Sequence, residues 1–199
     1  MDKRIRCIWA GSAPEYKDYH DSEWGRPVHD DIKLFEMLTL ECMQAGLSWR
    51  TVLRKREAFR EAFDGFDPKK VALYDDEKIR ELMLDERIIR NRLKIESAVN
   101  NAKAALKAAE EHGSFDKMIW EYVGNTPVIG HWKDIRDMPS TTPLSDKISK
   151  DLKKMGFRFV GPTVIYSFMQ AVGMVNDHVE ECFVYKELTM AASRDNGHK

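Results

Sequence analysis

Apolar residues recur along most of this chain at helical spacing. In "DDIKLFEMLTLECMQAG" they fall at 34, 38, 42 and 45, with 35 and 37 alongside, which traces one stripe on a helix. Asp30 or Asp31 stands where a cap would start that helix, and Gly46 stands where a C′ glycine would end it. Ser48 caps a second helix, "WRTVLRKREAFREAF", with Val52, Leu53 and Phe59 inward and Arg54, Lys55, Arg56 and Glu57 mostly outward. Short helices follow at about 68–73 and 75–84; "RNRLKIESAVNNAKAALKAAEEHG" is a long one closing at Gly113, and "SFDKMIWEYV" a shorter one. Residues 124–143, with three prolines and little periodicity, read as an ordered loop. Helices resume from Leu144 or Ser145 in "LSDKISKDLKKMG" and again in "PTVIYSFMQAVG". β-branched residues nowhere alternate, so no strand is expected and the fold class is all-α. Residues 186–199 read as a frayed, flexible tail.

Composition adds bounds. A chain of 199 residues, 43% hydrophobic and 33% charged, reads as a globular protein of one domain or two closely joined lobes. No apolar stretch approaches the roughly 18 residues that cross a bilayer, and "MDKRIRCIWAGSAPEY" lacks the apolar core of a signal peptide. A cytoplasmic protein without membrane association is expected. Three cysteines, Cys7, Cys42 and Cys182, are too few and too odd for a disulfide framework; Cys42 reads as a core thiol. A net charge of −1 argues mildly against a nucleic-acid binder. Locally, however, Lys147, Lys150, Lys153, Lys154 and Arg158 crowd the approach to "VGPT", where Gly161, Pro162 and Thr163 open a helix. Free N–H groups there suit a phosphate; a helical hairpin with a solvated basic face is the alternative.

Three constellations carry chemistry. His178 and Cys182, four residues apart, stack on one helical face, and Cys7 with His20 completes a Cys₂His₂ set split between the two ends of the chain. Such a set suits a closed tetrahedral zinc site, structural because no position is left for water or substrate. The other reading is a buried Cys7, a surface His20 and a metal-free helix-face pair, and spacing alone leaves both open. Glu41 lies on the apolar stripe, three residues after Leu38 and seven after Leu34. It is either an edge residue paired with a Lys or Arg, or a pocket carboxylate for a polar or cationic ligand. Trp9, Tyr16, Tyr19, Trp24 and Trp49 all fall within the first fifty residues. They are core rings, or a stacking surface for a flat ligand such as a nucleobase.

Taken together, "CIWAG…YKDYHDSEWG", "LTLECMQAGLSW", "FRFVGPTVIYSFMQAVGMVNDHV" and Cys182 resemble the 3-methyladenine DNA glycosylase I family, within the helix-hairpin-helix superfamily of DNA glycosylases, from about residue 4 to 184. The resemblance implies a helix-hairpin-helix glycosylase fold clipped by one structural Zn²⁺ on Cys7, His20, His178 and Cys182. It implies a single catalytic unit over 1–185, with a central lobe at about 32–112 and a zinc-clipped lobe from 1–31 and 113–185. Glu41 would be the catalytic carboxylate that hydrogen-bonds a methylated adenine, with Trp49 stacking on it and Tyr19, Tyr16, Trp9 and Trp24 lining or supporting the pocket. Gly46 and Leu47 would form a wedge, and Gly161, Pro162, Thr163, Lys154 and Arg158 would contact DNA. The implied activity is monofunctional hydrolytic release of 3-methyladenine, in base excision repair, from double-stranded DNA carrying N3-methylated purines, by a monomer. Two departures from the superfamily stand out. "V-N-D-H" replaces "V-D-T-H", so Asn176 occupies the catalytic Asp position with Asp177 one step displaced, and Phe159 replaces the first hairpin glycine. The rival readings are a zinc-dependent hydrolase with an open metal position and a non-catalytic alkylated-DNA-binding module.

Overall fold

The central helix of the molecule is the one whose stripe is clearest in the sequence. The computed structural model describes residues 3–195, with side chains as far as Met190. Among the described residues ten α-helices run in the order α1 (Pro14–Ser22), α2 (Asp31–Gln44), α3 (Trp49–Ala62), α4 (Pro68–Val71), α5 (Asp76–Leu84), α6 (Arg92–His112), α7 (Phe115–Glu121), α8 (Pro143–Lys154), α9 (Pro162–Ala171) and α10 (Phe183–Asp195). Helix α2 buries every residue from Leu34 to Met43 and packs against α3, α6, α7 and α9. A helix buried all round is a core element. Its two ends and its charged face are therefore what must be satisfied.

Both aspartates at its start are used. Asp30 caps α2 by accepting from the Lys33 N–H at 2.8 Å. Asp31 reaches across space to accept from the Phe115 and Asp116 N–H groups at 3.2 and 2.8 Å, serving the first turn of α7. At the other end, Ala45 (φ −42°, ψ 115°) and Gly46 (φ 80°) form a tight turn in which the Leu47 N–H donates to Gln44 O at 2.6 Å. Positive φ at the second central position favours glycine. The last carbonyls of α2 are satisfied by a lysine from another helix: Lys94 Nζ donates to Met43 O at 2.9 Å and to Ala45 O at 2.6 Å. An ammonium at a helix C-terminus also complements the helix dipole.

Several sequence expectations need correction. Arg56 does not face solvent. It is 6% exposed, and its guanidinium donates to Glu36 at 2.7 Å and to Glu23 at 2.9 Å, so acids from elsewhere in the chain neutralise it in place. Residues 124–143 are not without a strand: β1 (Val128–Ile129) pairs in parallel with β2 (Val175–Asn176), and a 3₁₀ turn follows at Ile135–Asp137. The fold remains mostly helical, because this two-residue ladder only staples the loop to the segment preceding His178. Helix α8 starts at Pro143, with Thr142 and Ser145 forming a reciprocal capping box. The segment read as a frayed tail is helical as far as Asp195, and 196–199 lie outside the described residues. Among the described residues no helix is long and apolar enough to cross a membrane.

Because Lys94 is the group that closes α2, Lys94→Met should destabilise the protein by about 2–3 kcal/mol, the cost of leaving buried carbonyls unpaired. Lys103→Met, at an exposed position of the same helix, should cost less than about 0.5 kcal/mol. Urea unfolding of the two variants measures the difference, and equal costs would remove the capping role.

Candidate active site

Helix α2 brings Glu41 and Gln44 to a cleft of about 280 Å³. The segment around α1 contributes Trp9, Tyr16, Tyr19 and Trp24; the start of α3 contributes Trp49; α9 contributes Ser167 and Gln170; Ile135 and Met138 close the set. The five rings predicted from the sequence thus come together. Trp9 meets Trp24 edge-on at 5.0 Å and Tyr16 at 6.0 Å, and Tyr19 lies 5.4 Å from Trp49. The Tyr16 hydroxyl accepts from the Arg50 N–H at 2.9 Å, which fixes that ring to the first turn of α3.

Three polar groups of the cleft have no protein partner among the described residues. Glu41 is 5% exposed, and among the described residues no cation pairs with it. Burial pushes its carboxyl up to about 8. The expected alternative, an edge glutamate paired with a Lys or Arg, is therefore not what the chain builds. The Tyr19 hydroxyl and the Trp49 indole N–H are also buried with no hydrogen-bond partner. An unanswered acid and two unanswered polar groups in an aromatic cleft fit a flat ligand with a polar, electron-poor edge.

Cys7, His20, His178 and Cys182 form a second buried cluster, with their ligand atoms all within 4.8 Å of one another. His20 is wholly buried, so the surface-histidine reading fails. His178 and Cys182 lie in the turn segment between β2 and α10, so the expected shared helical face is not what brings them together. His178 Nε2 donates to Trp24 O at 2.9 Å, which turns Nδ1 toward both sulfurs, 3.5 Å away in each case. His20 Nδ1 lies 2.9 Å from Asp21 Oδ1, and Nε2 faces Cys182 Sγ at 3.4 Å. Arg6 in turn grips Asp21 at 2.7 Å. Each imidazole thus has one nitrogen oriented outward by a hydrogen bond and one inward, the arrangement of metal-ligating histidines. Hydrogen bonding from Cys7, and then from the two imidazoles, pulls the Cys182 thiol far down, while the same bond to Cys182 and burial push Cys7 up. The four residues could hold a metal ion. Gly25 is required beside them: its φ is 79°, and a Cβ would lie 2.9 Å from His178 Nε2.

The basic hairpin lies outside this cleft. Its loop is held from within: Asn101 exchanges bonds with Arg158 N and O at 2.7 and 3.0 Å, Asn100 donates to Gly156 O at 2.7 Å, and the Ser149 hydroxyl donates to Val160 O at 2.6 Å. The Cys42 thiol, buried as expected, sits 3.5 Å from Phe159 O and links α2 to the same loop. Phe159 adopts φ 57°, the left-handed conformation that a glycine would take there, and is 40% exposed. Lys147 and Lys154 pair with Asp151, whereas Lys150, Lys153 and Arg158 have no such pair among the described residues. Gly161 caps α9 and Pro162 opens it. Leu47, beside Gly46 at the α2–α3 turn, is 42% exposed.

Residues 9–185 match the family described as Methyladenine glycosylase. DNA-3-methyladenine glycosylase from Haemophilus influenzae is 48% identical over 177 residues, covering 89% of this chain and 96% of its own. DNA-3-methyladenine glycosylase 1 from Escherichia coli is 48% identical over 180 residues, with 90% and 96% covered. A crystal structure of 3-methyladenine DNA glycosylase I in complex with 3-methyladenine superposes with a TM-score of 0.87 at 39% identity, covering 89% of this chain and 96% of its own. The chain belongs to the methyladenine glycosylase family.

In this methyladenine glycosylase family member, sequence reasoning missed Gln44, Ser167, Gln170, Ile135 and Met138. A signal existed for two of them: Ser167 and Gln170 are polar residues three apart on the otherwise apolar α9, the same anomaly that exposes Glu41 on α2. Asp177 is 3% exposed and accepts hydrogen bonds from Trp132, Tyr166 and Gln170. Asn176 is also buried, with its amide nitrogen unpartnered.

A raised carboxylate pKa has a defined thermodynamic sign. Between the ordinary 4.5 and about 8 the folded chain keeps the Glu41 proton that the unfolded chain has lost. The unfolded state binds fewer protons, so this group makes stability fall as pH rises through that window. Glu41→Gln should therefore be more stable than the wild type at pH 9, by about 3–5 kcal/mol at roughly 1.4 kcal/mol per pKa unit. The two should converge near pH 4.5. Denaturant unfolding across that range tests it, and parallel curves would show that Glu41 ionises normally.

Proposed function

We propose that this chain is a monofunctional, hydrolytic DNA glycosylase that flips out and releases 3-methyladenine from alkylated DNA. The observation that carries the reading is Glu41, buried among aromatic rings with no counter-charge of its own. N3-methylation makes adenine in DNA cationic, so the lesion supplies the missing charge. Burial makes Glu41 readily protonated when the cleft is empty, and a bound cation favours the carboxylate. Discrimination against neutral bases then arises from the charge pairing as well as from shape. Trp49 and Tyr19 stack on the base, with Trp9, Tyr16 and Trp24 supporting them. A positively charged base leaves readily, so no strong acid has to protonate it. Holding the departing base and straining the flipped sugar supply the acceleration, with water as the final nucleophile. Asn176 in place of an aspartate is compatible with this economy, and Asp177, bound by three donors, is held away from proton transfer to the sugar.

The α2–α3 turn and the hairpin both abut α6, through Lys94 in one case and Asn100 and Asn101 in the other. This supports a single DNA-facing side on which Gly46 and Leu47 wedge into the duplex. Gly161, Pro162, Thr163, Lys154 and Arg158 then hold the backbone of double-stranded DNA. The chain acts as a monomer in the cytoplasm, as one unit over 1–185 with the two lobes described above.

For the buried cluster the reading is one structural Zn²⁺. A tetrahedron with Zn–S near 2.3 Å and Zn–N near 2.0–2.1 Å has S···N edges of about 3.5 Å, and three of the four S···N pairs here lie at 3.4–3.5 Å. Zinc would draw both sulfurs to thiolates and tie residue 7 to residue 182, closing a loop of most of the chain.

Chromatography of bases released from N-methylated DNA should show 3-methyladenine leaving while 7-methylguanine stays. Glu41→Gln should lower that release about ten- to a hundredfold, the worth of a charge-assisted hydrogen bond. Tight binding to the damaged DNA without release would make the chain a lesion reader instead. Mass spectrometry of the intact protein should find one zinc per chain. Cys182→Ser should abolish it and lower stability by about 3 kcal/mol or more, whereas a metal-free wild type of unchanged stability would dismiss the clip.

A further inference from the structure

Gln170 belongs to the lining of the cleft, and its amide is not free to turn over. Its Nε2 donates to Asp177 Oδ2 at 3.0 Å and to Met138 Sδ at 3.0 Å. Both amide hydrogens are thereby engaged, and because a carboxylate oxygen and a thioether can only accept, nitrogen must be the atom on that side. Asp177 is itself fixed. It is 3% exposed, and Trp132 Nε1 donates to Oδ1 at 2.7 Å while the Tyr166 hydroxyl donates to Oδ2 at 2.5 Å. A Cβ on Gly130 would collide with both Asp177 Oδ1 and Trp132 Nε1, so the backbone presses on the network from behind. The Gln170 carbonyl also accepts from the Gly25 N–H at 3.0 Å, which anchors the residue to the segment bearing Trp24. The consequence is that Oε1, which has no hydrogen-bond partner among the described residues, is left as a free acceptor on a residue that lines the cleft.

We infer that Gln170 Oε1 accepts from the 6-amino group of the excised base and so selects 6-aminopurines over 6-oxopurines, with Asp177 as the residue that positions it. The inference rests on the base-release reading above and deepens it. At ring position 6 an aminopurine carries N–H donors and an oxopurine a carbonyl oxygen. Opposite a pinned oxygen, the first makes a hydrogen bond; the second sets two acceptors face to face and leaves both desolvated and unpaired. Ser167, one turn earlier on α9, cannot discriminate in this way, because a hydroxyl both donates and accepts. Charge does not discriminate either, since N3-methylation makes both purines cationic. The Gln170 amide, by contrast, has its polarity set by its neighbours.

Asp177→Asn should invert that polarity. With the Asn oxygen kept on Trp132, its NH₂ occupies the place of Oδ2 and donates to the Tyr166 oxygen and to Gln170. Gln170 must then offer Oε1 to that NH₂ and turn Nε2 into the cleft, where it can donate to a carbonyl.

The experiment is single-turnover release of 3-methyladenine and 3-methylguanine from DNA treated with a methylating agent, for the wild type, Gln170→Leu and Asp177→Asn. Gln170→Leu should cut 3-methyladenine release about tenfold or more while changing 3-methylguanine release little, so that the ratio of the two falls by a similar factor. Asp177→Asn should lower the ratio further by raising 3-methylguanine release. A merely structural role would depress both bases together and leave the ratio within about twofold of wild type; that result overturns the inference while leaving the base-release reading intact. If Asp177→Asn does not fold, the ratio for Gln170→Leu decides alone. A wild type that releases neither base overturns both readings.

Discussion

A buried carboxylate with no cation beside it is the constraint from which the rest of this molecule follows. Helix α2 carries two glutamates, Glu36 and Glu41, each 5% exposed. Burial pushes both carboxyl groups up, but around Glu36 the guanidinium of Arg56, with Lys33 and Arg60, more than reverses that, and it stays below the ordinary carboxylate range. Around Glu41 nothing reverses it, and the carboxyl rises to about 8. One helix therefore holds the same side chain at the same depth in two opposite states. The difference is whether the chain supplies the counter-charge or leaves it to a ligand. An unanswered group of this kind costs folding free energy, so α2 has to be anchored by other means. Asp30 caps its start, Asp31 and α7 lock it laterally, and Lys94 closes its end.

The two buried clusters are mechanically one unit. Trp24 lines the cleft, and its carbonyl sets the orientation of His178; its ring lies 4.6 Å from that imidazole. Trp9 stands likewise between the cleft and His20, at 5.2 Å. Two walls of the cleft are thus built on side chains that the Cys and His residues hold in place. A metal at that cluster need not touch a substrate to matter for binding: loosening the ends of the chain would unpack the aromatic surface first. The same logic explains why the ring-bearing segment sits at the N-terminus while one of its principal supports comes from the far end of the sequence.

How much of this was legible in the sequence depends on the range of the determining contacts. Helices α2 to α9 were legible because caps and apolar periods are local, whereas α1 was not read and α10 reads as a tail; the place of Glu41 on its own helix's apolar stripe was legible too. Arg56 was misread because its burial depends on Glu23 and Glu36, which lie 33 and 20 residues away. Lys94 carries no local signal, because its partners at the C-terminal end of α2 are 51 and 49 residues distant. Gln170 shows as a polar residue on α9, but its orientation is set by Asp177, which is itself fixed by Trp132, 45 residues upstream. The strand pair escaped notice because two residues cannot show an alternation. In each case the hidden element is a polar group whose partner the fold alone brings near.

A catalytic site with little catalytic machinery is coherent once the substrate's own reactivity is considered. A strong general acid beside the sugar would help every purine to leave, including undamaged ones, and such a site would have to reject normal bases by shape alone. Shape discriminates weakly when the lesion is a single methyl group, worth about 1–3 kcal/mol in an apolar pocket. On the proposed reading, with Asn176 at the position where the superfamily resemblance implies an aspartate, a neutral base that enters the cleft would gain no charge partner. The positively charged lesion would gain the pairing with Glu41 and already leaves readily. Withholding catalytic power would then become part of the selectivity: discrimination would be exercised at binding, where Glu41 responds to charge, and again at bond cleavage, where only a base that is already a good leaving group departs.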